Sequence, residues 1–189
     1  IASLLGVIIV LGVLLFFFRH FAFAALEYQE THNNTHITQL FAITLWPTYA
    51  TYVKRASAIP RAEMQQRPEV ARIRADVLRQ MTGLMIVKVK IYNLDGLTVF
   101  STDPRQIGED KSTHGAFLAA KSGRTISELT FRNHFDALEQ APDDRSLVSS
   151  YVPIRSPADA PVEGVMEVYS DVTPYVAQLE KATWQFAAC

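Results

Sequence analysis

The chain has 189 residues, a net charge of −1 and 49% hydrophobic residues, which suits one domain with a proper core plus an appendage. The near-neutral balance argues against nucleic acid as a partner, since that needs a basic surface. The single cysteine, Cys189, excludes an intrachain disulfide and a cysteine-built metal site, so cysteine usage says nothing of the compartment.

Residues 1–18 carry no charged side chain and no proline. A helix of that length covers about 27 Å, close to the hydrocarbon thickness of a bilayer. A signal peptide would have a shorter apolar run, a basic start and a small-residue cleavage site. A buried core helix is the other reading; the expectation is a transmembrane helix. The chain opens on Ile1 without an initiator methionine and reads as a fragment whose cytoplasmic start is missing. Arg19 and His20 come directly after the span. By the positive-inside tendency they point the wrong way for an exported domain, so orientation rests on the remainder of the chain.

Phe21 to Ile59 continues as helix, interrupted by a polar patch from Glu27 to His36. Phe41, Leu45, Tyr49, Tyr52, Ala56 and Ile59 then recur at three- and four-residue spacing, one stripe on one face. That stripe is wider than one thin sheet needs, and it predicts a parallel homodimer through the long helix. Pro47 lies inside the run and predicts a kink or a break. Asn33-Asn34-Thr35 fits the glycosylation sequon, a match too short to carry weight. His32 and His36 share a helix face but lack a third ligand nearby, and read as a solvated face. Pro68 opens a second helix with Glu69 at its positive end. Val70, Ile73, Val77, Leu78 and Met81 form its buried stripe, the arginines 67, 72, 74 and 79 its solvated face, and Gly83 its stop.

Val87 to Thr102 reads as two strands and a tight turn. Val87, Val89 and Ile91 share one face, and Lys88, Lys90 and Tyr92 the other. Gly96 supplies the positive φ and Asp95 a side chain that bonds nearby backbone. Residues 103–115 form a surface loop long enough to be a lid. Gly115 to Ser122 gives two helical turns ending at Gly123. Thr125 to Arg132 is a third strand, 133–145 a polar loop, Leu147 to Val152 a fourth strand closed by Pro153, and Gly164 to Asp171 a fifth. Glu139, Asp143 and Asp144 read as plain loop acidity. Thr173-Pro174 looks like an N-cap with proline at the first helical position. The closing helix becomes apolar at 184–189 and reads as the start of a second span.

Enzyme motifs are missing: no glycine-rich phosphate loop, no G-x-S-x-G elbow and no H-E-x-x-H. The polar groups set in otherwise apolar strands are Tyr92, Arg132, Ser149, Tyr151 and Tyr169. Together they could hold a small carboxylate, with Phe100 and Phe117 as the apolar wall. The alternative is that the tyrosines are core residues with one wet end and Arg132 is exposed. Glu167, a carboxylate mid-strand, should be exposed or paired; Lys88 or Lys90 is the expected partner across the sheet. No cofactor is expected.

The run KIYNLDGLTVFSTDPRQIGEDKS, followed by RTISELT, LVSSYVPIR and VEGVMEVYSDVTP, resembles the extracytoplasmic Cache/PDC-type sensor domains of bacterial transmembrane receptors, which head sensor histidine kinases and diguanylate cyclases. The resemblance covers roughly Ile86 to Pro174. It implies an α+β, PAS-like fold: a five-stranded antiparallel sheet, a long N-terminal helix on one side and a ligand pocket on the other. The length allows a single such module. The expected layout is a transmembrane helix over 1–18, a helical membrane-proximal region over 19–84, the sensor module over 85–172, and an exit helix over 173–189. The implied role is an inner-membrane receptor with its sensor outside the cytoplasm, detecting a small organic acid. The alternatives are a ligand-free interaction and dimerisation module, and a membrane-anchored hydrolase.

Overall fold

A computed structural model describes residues 2–132, 145–157 and 159–187. The predicted Glu139, Asp143 and Asp144 lie outside them. Helix α1 runs unbroken from Ala2–Arg55, 54 residues, or about 80 Å. Its apolar side chains from Ile9 to Phe18 have almost no protein packed on them; Leu14 and Phe16 are 60% and 69% exposed. The segment is therefore not a buried core helix, and among the described residues α1 is long and apolar enough to cross a membrane. The predicted break at Pro47 does not occur. The proline ring sits on the exposed side, while Trp46, Tyr49 and Val53 on the opposite face are buried and hold the helix against the domain. Tertiary packing outweighs one missing backbone bond.

A 3-10 turn follows at Ala56–Ala58, then α2 (Arg61–Met64) and α3 (Pro68–Met81). The strands are β1 (Ile86–Tyr92), β2 (Thr98–Ser101), β3 (Ile126–Arg132), β4 (Arg145–Ile154) and β5 (Gly164–Asp171), with α4 (Gly115–Lys121) before β3 and α5 (Thr173–Ala187) last. They form one antiparallel sheet in the order β2-β1-β5-β4-β3. The fold is α+β and PAS-like, as the motif set implied.

Helices α1 and α3 cover one face of the sheet. Phe41, Leu45, Trp46, Tyr49 and Val53 of α1 and Ile73 and Val77 of α3 pack on Val89, Ile91, Met166, Val168 and Ile154. The stripe read as a dimer seam is thus largely taken up inside the chain. Toward the apolar end of α1 the stripe continues with polar residues. Asn34, fully buried, donates to Ser150 Oγ at 2.8 Å and accepts from Ser170 Oγ at 2.6 Å. From sequence this stretch is only a polar patch that interrupts the apolar pattern, because a helix face of Glu, Asn and Thr shows no partner until a sheet supplies matching hydroxyls.

Several local details depart from expectation. At the β1–β2 turn, Gly96 takes φ +87° as required, but Asn93 Oδ1 accepts the backbone N–H of Asp95 and Leu97, and Asp95 instead accepts from Ser57. Strand β4 runs through Pro153 to Ile154. It outlasts β3, whose pairing ends at Ile126 opposite Tyr151, so proline sits where β4 has become an edge. Thr173 does not cap α5: its hydroxyl accepts from Ser146 N, while the Asp171 carboxylate accepts from Thr173 N. The expected lid is laced to β2 by backbone bonds from Gly108 to Thr98, Thr98 to Glu109 and Lys111 to Gly96, at 2.8, 2.9 and 2.8 Å, and covers an edge that would otherwise stand open.

Helix α5 returns antiparallel along α1 toward the apolar end. Tyr175 and Leu179 lie beside Ala22 and Leu26, and Arg19 reaches Glu180 at 4.0 Å. His32 and His36 are exposed, their rings 5.6 Å apart, and among the described residues no metal-binding group of three forms.

Candidate functional site

The sheet face turned away from α1 is built by alternation. On β1 it receives Lys88, Lys90 and Tyr92, and on β5 Val165, Glu167 and Tyr169. The β1–β5 register sets Lys90 opposite Glu167, and the β5–β4 register sets Tyr151 opposite Glu167 on the other side. One carboxylate therefore lies between an ammonium and a phenol by strand pairing alone. Glu167 is 1% exposed. It accepts from Tyr92 Oη at 2.5 Å and from Tyr169 Oη at 2.6 Å, with Lys90 Nζ at 3.9 Å. The predicted pairing of Glu167 with a β1 lysine is what the structure contains.

Further charges surround it. Lys90 also faces Glu109 at 3.8 Å, and Lys88 faces Asp103 at 3.9 Å and lies over the Tyr169 ring. Burial lowers the Lys90 pKa, and the Glu167 and Glu109 carboxylates only partly offset this. For Asp103, burial works toward a higher pKa. Hydrogen bonds from Arg105 and the Lys88 charge outweigh it and hold the carboxyl below its ordinary value. Burial, then the Glu167 charge, pushes Tyr92 and Tyr151 far up, so both remain phenols and donors throughout the working pH range.

The aromatic part is continuous. Phe117 of α4 meets Tyr92 edge-on at 5.8 Å, Tyr92 stacks on Tyr151 at 6.1 Å, and Tyr151 stacks on the exposed His114 at 5.3 Å. Ala116, Ala120 and Val165 complete this second core.

Of the seven residues singled out from sequence, Tyr92, Tyr151 and Tyr169 meet around Glu167, Phe117 packs edge-on against Tyr92, and Ser149 shares their face on β4, opposite Tyr169. Phe100 goes to the other side: it pairs with Ile91 and packs in the core under α1 and α3. The backbone of Arg132 ends β3 opposite Arg145, and its side chain lies outside the described residues. Lys90 and Lys88 were expected only as partners of Glu167, and Asp103 and His114 were not expected at the site. The two lysines carried a signal, since they alternate in phase with Tyr92. Asp103 and His114 arrive from a connection whose path only the folded chain defines. Chemically, the cluster is a set of phenol donors and an ammonium already arranged around a carboxylate.

The sequence matches no family model and no curated protein. Solved structures do show similarity. The sensor domain of the V. cholerae histidine kinase DctB is 13% identical, with 84% of this chain and 60% of that one covered and a TM-score of 0.43. The periplasmic domain of RsbU from Chlamydia trachomatis is 11% identical, with 81% and 56% covered and a TM-score of 0.42. The PAS domain of Bordetella pertussis BvgS is 11% identical, with 57% and 93% covered and a TM-score of 0.32. The chain therefore spans 60% or less of the first two. The likeness is one of architecture and assigns no residue of this chain a role.

Proposed function

We propose that the chain is the extracytoplasmic sensor region of a bacterial inner-membrane signalling receptor, with the Glu167 face as input and helices α1 and α5 as output. The observation that supports this best is the continuity of α1. One helix carries both an exposed apolar segment and the main packing surface of the sheet domain. Strand β5, which bears Glu167 and Tyr169, passes through Val172 directly into α5, and α5 lies along α1. A change at Glu167 thus acts on the strand that leads to the membrane. The ligand in this reading is a small organic acid. Its carboxylate competes with Glu167 for the tyrosine hydroxyls and Lys90, and Arg132 is its further anchor. The signal passes to a cytoplasmic output domain, a histidine kinase or a diguanylate cyclase. The receptor is a parallel homodimer, and the face of α1 left for that contact carries Tyr28, Leu40 and Ile43, each over 60% exposed.

A ligand-free interaction module is the second reading. It is favoured by Glu167 already having two phenol donors and an ammonium, which leaves no vacancy that demands a ligand. A hydrolase gains no support: among the described residues no serine hydrogen-bonds a histidine, and Ser127, Ser150 and Ser170 bond one another or Asn34.

The test is a thermal-shift screen of small acids on the full chain in lipid nanodiscs, followed by titration. A stabilising acid should lose at least about tenfold in affinity in Arg132→Ala and less in Tyr151→Phe. A screen without any stabilising acid would favour the interaction module. A reporter active only in the cytoplasm, fused after Asp159, should be silent; activity would overturn the topology.

A further inference from the structure

Away from the sheet's charged face, a cavity of about 420 Å³ opens between the last turns of α1 and the first turns of α3, within the size range of small-molecule sites. It lies at the end of α1 remote from the apolar segment. Tyr49, Tyr52 and Ile59 give it an apolar wall, and Arg55 and Arg72 stand at its rim with Glu69.

The arginines in and beside α3 divide sharply. Arg67 pairs with Glu63, Arg79 with Asp76, and Arg74 donates to Thr102 O at 2.6 Å. Among the described residues Arg72 has no such partner, nor has Arg55 across the cavity. The two tyrosines of the wall divide the same way. Tyr49 donates its hydroxyl to the Asp76 carboxylate at 2.7 Å. Tyr52, one turn further along the same face, has its hydroxyl sealed from solvent with no hydrogen-bond partner. A buried donor without an acceptor costs about 1–3 kcal/mol. Burial, then the Glu69 charge, raises the Tyr52 pKa, so the group stays a phenol and a donor. Two guanidiniums without an ion pair, with the Glu69 carboxylate at the same rim, and one orphaned phenol therefore flank a single apolar-walled cleft. The neighbouring Tyr49–Asp76 bond shows that a carboxylate suits a phenol held on this face.

We propose that this cleft is a second ligand site, independent of the Glu167 face, and that it binds a small organic carboxylate. The oxygens lie between Arg55, Arg72 and the Tyr52 hydroxyl, and the apolar body lies against Tyr49 and Ile59. Glu69 opposes the anion and limits its affinity. Because the site joins the end of α1 to α3, its occupant ties the membrane helix to the helical layer instead of to the sheet.

The experiment titrates benzoate, cyclohexanecarboxylate and inorganic phosphate into the full chain in nanodiscs at constant ionic strength, read by calorimetry. Saturable binding of the two organic acids is expected, with phosphate weaker. Arg55→Gln and Arg72→Gln should each lower affinity about tenfold, and Tyr52→Phe about fivefold. Glu69→Gln should raise affinity about threefold, because a like charge is removed; this gain does not depend on any destabilised variant. Lys121→Gln, an exposed cation on α4, should leave binding unchanged. Phosphate binding as tightly as benzoate would overturn the organic-acid assignment. Absence of saturable binding, indifference to both arginines, or weaker binding in Glu69→Gln would overturn the site. The Glu167 reading survives any of these results, since none of these residues belongs to that cluster.

Discussion

The two faces of the sheet are equally dry and held by opposite means. Under α1 and α3 the strands contribute Val89, Ile91, Phe100, Val168 and Ile154, each at most 3% exposed, and cohesion there is apolar area and close packing. On the other face Lys88, Lys90 and Glu167 are buried just as deeply, at 3%, 4% and 1%. Removing charge from water costs far more than removing a methyl group, so that face persists only because every charge has a partner. One face tolerates change in proportion to volume; the other fails when a single partner is lost. A new charge entering a face of the second kind would redistribute existing pairs.

The largest effect should come from breaking the paired face. Glu167→Leu removes the nearest buried carboxylate from the Lys90 ammonium and takes the acceptor from the buried Tyr92 hydroxyl, and should cost about 3–5 kcal/mol. Lys90→Met in the same background should recover a substantial part. Urea denaturation of both single variants and the double gives the coupling, and a value near zero would show that the two charges are independent. Phe100→Ala, on the apolar face, should cost about 3–5 kcal/mol through cavity formation. It should show no such rescue by charge removal and no dependence on pH; a pH-dependent loss would mean that the two faces are not separable.

Smaller changes sharpen the contrast. Asn34→Ala removes a side chain that bridges Ser150 and Ser170 between α1 and the sheet, and should cost about 2 kcal/mol. Hydrogen exchange should rise in the part of α1 nearer its apolar segment and not around Trp46. Uniform acceleration would show that α1 is held as a single unit.

The smallest effect should be the pH response of the charged face. Lys90 titrates in the folded chain below its ordinary value of 10.5 because burial disfavours the charged form. Unfolded chain then binds more protons between the two values, and stability should rise with pH across that window. Tyr92 and Tyr151 have raised values, and their contribution is present below about pH 10 and is lost above it. The rise is therefore confined to the range below about pH 10. At the acid end Asp103 is depressed, so its contribution is lost as pH falls below about 4. Melting temperatures from pH 3 to 10 for the wild type and Lys90→Met would separate these. An alkaline rise that persists in the variant would remove Lys90 as its source.

Sequence by itself determined what depends on near neighbours. The apolar run at the start of the chain follows from eighteen consecutive side chains without a charge. The turn at Gly96 follows from the backbone freedom of one residue, and the five strands from alternation and punctuation. Even the Glu167–lysine pairing was legible, because a carboxylate mid-strand demands a partner and two lysines alternated in phase on β1. Tertiary structure alone decided which face each residue serves once register and bulges intervene. A register shift between Ile91 and Tyr92 separates Phe100 from Tyr92, and no local pattern announces it. It decided that Asn34 is buried, because the hydroxyls that receive it come from residues more than a hundred positions away. It also decided that the stripe from Phe41 to Val53 packs on this chain's own sheet, since an apolar helix face states only that something must cover it.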